Sequence, residues 1–144
     1  DMRVFKKVYD VITENVGVIG LSLHPNGDHI TDGVIRVHQF RFGMNQWGFS
    51  QLMFMHKSCY DPVPNGLNFY FGDNFVFDNA LWRNKEIYSI SDMFFYSPNF
   101  PETGVTCKTL DLTGVFDRER IIYGDVIKAH GHDPKVWCPH YYKD

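Results

Sequence analysis

The sequence has no apolar run long enough to cross a bilayer. Val16 to Leu23, among its longest, falls far short of the roughly 20 residues a spanning helix needs. No basic, apolar, small-residue leader precedes the first element, so nothing points to secretion, and a soluble cytoplasmic protein is expected. Clustered basic charge is missing too. The 14 Lys and Arg are scattered against 17 Asp and Glu, giving a net charge of -3, which excludes a general nucleic-acid-binding face. Cysteine is sparse: Cys59, Cys107 and Cys138 are odd in number and far apart, which fits reduced core thiols better than a disulfide framework. There is no Gly-x-Ser-x-Gly, no His-Glu-x-x-His and no Gly-rich phosphate loop, so the commonest hydrolase, zinc-protease and nucleotide-loop signatures are all absent. Neither an internal repeat nor a low-complexity linker divides residues 1–144, so a single unit is expected, with an irregular tail over 131–144. The first residue is Asp1, directly on an apparent helix, as expected of a piece of a longer protein.

What is present is a globular composition. Hydrophobic residues make up 44% and charged residues 22%, neither disordered nor membrane-like. Aromatics reach 17%, with 13 Phe and 8 Tyr, a surplus that serves either a thick core or platforms on which sugars and bases stack.

Val4, Val8, Val11 and Ile12 recur at helical spacing, with Lys6, Lys7, Asp10 and Glu14 opposite, and Asn15 and Gly17 are read as the stop. Val16 to Leu23 is almost wholly apolar and runs into His24-Pro25-Asn26-Gly27, as a central buried strand does. Val34 to Phe42 alternates like a half-buried strand, Phe49 to Met55 is a further strand, and Asp61 to Gly66 is a turn. Leu67 to Phe71 is expected as a short aromatic strand, followed by a helix over 75–82. Glu86 to Ile90 and Met93 to Tyr96 read as strands, Ser97 to Thr106 as a loop, and Leu110 to Ala129 as a helix weakened by Gly114 and Gly124. The fold class expected is α/β, a mixed sheet with flanking helices.

The stretch from Gly66 to Phe77 is the most suggestive chemically. A glycine, Gly72, permits close backbone approach, and Asp73 follows at the start of a helix, where free amides and the helix dipole favour a carboxylate. Asp73 is there either a helix cap or a group in the crevice where α/β sheets place their ligands. A second constellation, His130, His132, Cys138 and His140, has zinc-ligand chemistry but no established zinc spacing, and Pro134 and Pro139 suit an ordinary surface tail. Turn or surface roles suffice for His24, His29, His38 and His56, and Cys59 lacks an evident partner base.

The order of these pieces resembles the second half of a GT-A glycosyltransferase domain, of the inverting family-two-like group with phage-encoded relatives. Val16-Gly17-Val18-Ile19-Gly20 is similar to that family's "VGVIG" strand, and Asp1-Met2 stands where the last acid of its Asp-x-Asp motif falls. Trp47-Gly48-Phe49 leads into Leu52-Met53-Phe54-Met55-His56-Lys57, and the Pro turn at 61–64 leads into Tyr70-Phe71-Gly72-Asp73-Asn74, in the family's order across roughly residues 1–100.

The resemblance implies sugar transfer from a nucleotide-sugar donor to a hydroxyl acceptor. It implies Asp73 as general base and Mn2+ or Mg2+ held partly by Asp1, where the bland alternative is a terminal residue or a cap. Trp47 and Gly48 fall on the acceptor side, the indole either stacking on a sugar or filling the core, with Gly72 and Asn74 also beside substrate. Two departures stand out. Asn74 occupies a place where the family often has a second acid, and an amide cannot take the proton; and Phe94-Phe95-Tyr96-Ser97 lacks the His that many relatives add as a metal ligand. The missing donor-side half implies about 90 to 100 residues upstream, consistent with half an ordinary domain. The alternative from another class is a non-catalytic interaction or structural domain derived from such an enzyme within a larger assembly.

Overall fold

The computed structural model describes residues 2–21, 36–40, 52–68, 70–91, 113–139 and 141–142. They form an α/β arrangement with a four-stranded mixed sheet and flanking helices. By contacts the chain gathers into two compact units: residues 1–62 with 76–95, and residues 63–75 with 96–144.

The first unit begins with α1 (Met2–Val11), which buries Val4 and Val8 and leaves Phe5 and Tyr9 exposed. The helix ends before Thr13, whose hydroxyl accepts the N–H groups of Asn15 and Val16. β1 (Val16–Leu21) follows, then β2 (Arg36–Phe40) and β3 (Met53–Met55). A 3-10 turn (Lys57–Cys59), α2 (Gly72–Trp82), of which residues 76–82 belong to this unit, and β4 (Glu86–Ser91) complete the order. The strands lie in the order β2-β4-β1-β3. β1 runs parallel to β4 and antiparallel to β3, and β2 is antiparallel to β4. The expected buried strand at Val16 is thus central, the strands expected over 34–42 and 86–90 are present in their described parts, and that expected over 49–55 is present as Met53–Met55, with Leu52 outside it.

Gly17 has a different role from the helix stop expected of it. Pairing with β4 slips between Val16 and Val18, so Gly17 is the extra residue of a bulge. The slip puts Val16 and Ile19 together on the α1 face, with Val4, Val8 and Ile90. Val18 turns to the opposite face, onto Cys59, Phe77, Ala80 and Ile87. A side chain at Gly17 has no room: an added Cβ would stand 2.7 Å from Cys59 Sγ, 2.9 Å from Lys85 Cβ and 3.0 Å from Ala80 Cβ.

The second unit is built around α3 (Val115–Ala129) and the short α4 (Pro134–Trp137). Gly114 stands at the cap position before α3, so it opens that helix where it was expected to weaken it. Gly124 is buried within α3, where an added Cβ would meet the Tyr142 ring at 3.2 Å; the glycine costs helix propensity but admits the ring. After His130 the chain reverses at Gly131, with φ +83, and the N–H of His132 returns to the Ile127 carbonyl, a glycine-dependent helix stop. Within the tail expected to be irregular, Asp133 caps α4 by accepting the Lys135 N–H at 2.9 Å.

Candidate functional site

The segment 63–75 carries the candidate site. Its entry turn closes where the N–H of Leu67 reaches the Pro64 carbonyl at 3.1 Å. Gly66 adopts φ +96 there, a conformation that favours glycine, and a Cβ would meet Ile122 Cδ1 at 2.7 Å, so the end of that side chain would have to move. Residues 67–71 are not the strand that was expected. Those described are irregular, and the N–H groups of Asn68, Tyr70 and Phe71 are satisfied by a side chain instead of a neighbouring strand.

That side chain is Glu119 of α3, only 1% exposed. Its Oε1 accepts the Asn68 N–H at 2.9 Å, and its Oε2 accepts those of Tyr70 at 2.8 Å and Phe71 at 3.4 Å. Three backbone amides converging on one side chain fix this loop, two at ordinary hydrogen-bond lengths and a longer third. Phe71 anchors the same loop by its ring. It stacks on Tyr123 at 5.1 Å and 27°, with Phe116 at 5.4 Å and Tyr141 at 5.0 Å. The aromatic surplus of this region therefore goes into a core.

Phe71 is also the residue from which α2 starts, its carbonyl accepting the Phe75 N–H at 2.9 Å. Gly72 packs its α-carbon against the preceding loop: an added Cβ would lie 2.9 Å from the Leu67 carbonyl oxygen. Close backbone approach at Gly72, expected as the end of a strand, occurs at the first residue of a helix. Asp73 then falls in the first helical turn, half-buried, with Oδ1 accepting the Asn74 N–H at 2.9 Å. A carboxylate in that turn is favoured by the helix dipole. The side-chain nitrogen of Asn74 is buried with no hydrogen-bond partner among the described residues.

The other candidates divide clearly. Asp1, Trp47 and Gly48 lie outside the described residues, as do Phe94 to Ser97, Cys107 and His140. Among the described residues no three His, Cys, Asp or Glu side chains stand together as a metal site would require. Cys138 is buried, and the His132 ring packs on Trp137 at 4.2 Å. Cys59 is wholly buried in the first unit's core. His56 caps the 3-10 turn, its Nδ1 accepting the Ser58 N–H at 3.3 Å and lying 2.8 Å from Ser58 Oγ. An open groove of about 610 Å³ in the second unit is lined by Arg120 and Lys128 of α3, Lys135 of α4 and, beyond the helices, Tyr142; Asp73 does not line it.

Sequence reasoning missed Glu119. One signal was there to find it: Val115, Glu119, Tyr123 and Ile127 recur every four residues, so a carboxylate sits in the buried stripe of an otherwise amphipathic helix. Compared with known proteins, the chain matches no family model, no curated protein and no solved structure. No helix among the described residues is long and apolar enough to cross a membrane.

Proposed function

We propose that the chain is the acceptor-side part of an inverting GT-A-type glycosyltransferase, with Asp73 as its general base. The observation that carries this reading is Asp73 itself: a half-buried carboxylate in the first turn of α2, on a backbone held by Glu119 and Phe71. In the proposed step Asp73 takes the proton of the acceptor hydroxyl as that oxygen bonds to the anomeric carbon. The bond from this carbon to the donor diphosphate breaks, and its electron pair leaves with the nucleoside diphosphate. A divalent ion would supply charge neutralisation on the leaving diphosphate. Of the ligands the resemblance names, only Asp1 belongs to this chain, and it lies outside the described residues, so no step is derived through the ion. A phage-type relative acting in the cytoplasm belongs to the same reading.

A second reading, a non-catalytic interaction or structural domain, has one observation in its favour. Asp73 Oδ1 accepts the adjacent Asn74 N–H, as a helix-turn carboxylate with a purely structural role does. Release of nucleoside diphosphate from a panel of nucleotide sugars, with Mn2+ and the full-length protein, separates the two. Turnover with at least one donor supports the enzyme; none with any donor supports the structural domain.

A further inference from the structure

The Glu119 carboxylate needs a use. A buried acid in the apolar stripe of a helix is costly unless hydrogen bonds compensate it. Glu119 spends its oxygens on the backbone of residues 68–71, which lead directly into the helix turn of Asp73. The Tyr70 and Phe71 N–H groups both point at Oε2, and Phe71 is in turn the residue whose carbonyl starts α2. Leu67, whose carbonyl oxygen leaves room only for a glycine at position 72, lies immediately before the clamped stretch. Displacing this loop therefore displaces the α-carbon that precedes Asp73. We infer that Glu119 is a positioning residue of the proposed reaction, holding the backbone that places the Asp73 carboxylate. The inference rests on the glycosyltransferase reading and extends it to a residue 46 positions further along the chain (119 against 73).

General-base catalysis tolerates misplacement poorly; a shift of about 1 Å costs on the order of 100-fold in rate. Removing the clamp lowers kcat and leaves donor KM in place, because the buried Glu119 carboxylate acts on the loop backbone. The effect also disappears when Asp73 is already gone, since groups that act through one another are not additive. The test is steady-state donor hydrolysis by the full-length protein in four forms: wild type, Glu119→Gln, Asp73→Asn and the double variant, each first checked for cooperative unfolding.

The expected result is a kcat loss of about 10- to 100-fold in Glu119→Gln at unchanged KM, with no further loss when it is added to Asp73→Asn. Folded Glu119→Gln with wild-type kcat, or an equal loss in both backgrounds, overturns the positioning role while leaving Asp73 as base. Full activity in Asp73→Asn overturns the glycosyltransferase mechanism and this inference with it. Should Glu119→Gln not fold, amide deuterium exchange of the unaltered protein decides. The Asn68 and Tyr70 amides are expected to exchange as slowly as those inside α3, and exchange at open-loop rates contradicts the clamp.

Discussion

Gly17 and Cys59 stand so close that a methyl group on the glycine would lie 2.7 Å from the cysteine sulfur. The bulge in β1 and the 3-10 turn after β3 meet at this point, and Ala80 of α2 closes it from a third side. Gly17→Ala is accordingly expected to destabilise the protein by about 1–3 kcal/mol, the usual range for overpacking a filled core. Chemical denaturation measures this; an unchanged midpoint means the contact is looser than described.

Phe71 is the aromatic hub of the second unit, with Tyr123, Phe116 and Tyr141 around it. Phe71→Ala is expected to cost about 3–5 kcal/mol, as large-to-small changes at buried Phe do, and Phe71→Leu distinctly less. A thermal melt that distinguishes the two variants checks the ranking.

Glu119→Ala removes the acceptor of three backbone N–H groups. Only the Phe71 N–H sits in a fully buried bond, and leaving a buried donor unsatisfied costs about 1–3 kcal/mol, so a loss of that order is expected, against near-neutral changes at exposed Asp117 two residues earlier. Equal stability of the two variants in urea would show that water replaces the carboxylate without cost.

Tyr88 gives a prediction in pH. Its hydroxyl donates to Glu86 Oε2 at 3.1 Å. That hydrogen bond first, then burial, then the charge of Glu86 push its ionisation above the ordinary phenol value of 10.0. The folded state thus favours the protonated phenol. Any stability this gives is complete below the unfolded pKa and is lost as pH rises through the raised one. Ultraviolet titration of tyrosinate in Glu86→Gln is expected to move one tyrosine downward; no change in any tyrosine contradicts the pairing.

Much of the first unit was legible in the sequence. The apolar run at Val16 and the alternation around Val37 are local patterns, and both strands lie where those patterns place them. The bulge at Gly17 was not legible. Its cause is the space left between Cys59, Ala80 and Lys85, residues brought together only by folding. Leu67 to Phe71 carries strand-like aromatics, but their rings serve a cluster with Tyr123 and their amides serve a carboxylate 48 to 51 residues away. Local composition cannot reveal a partner at that distance. Asp73 was singled out because an acid after Gly72 at a helix start is a local motif, and its place in the first turn of α2 follows from that pattern; Glu119 was passed over because its meaning comes from the loop it holds.

The central claim is that the Asp73 carboxylate removes a proton from the attacking hydroxyl. Its most direct test is single-turnover nucleoside-diphosphate release by the full-length protein, wild type against Asp73→Asn, with donor saturating and Mn2+ present. The account predicts loss of about 100- to 10,000-fold in the chemical step, the range supplied by a general base, with the unfolding midpoint preserved. A folded Asp73→Asn protein that turns over at the wild-type rate contradicts it.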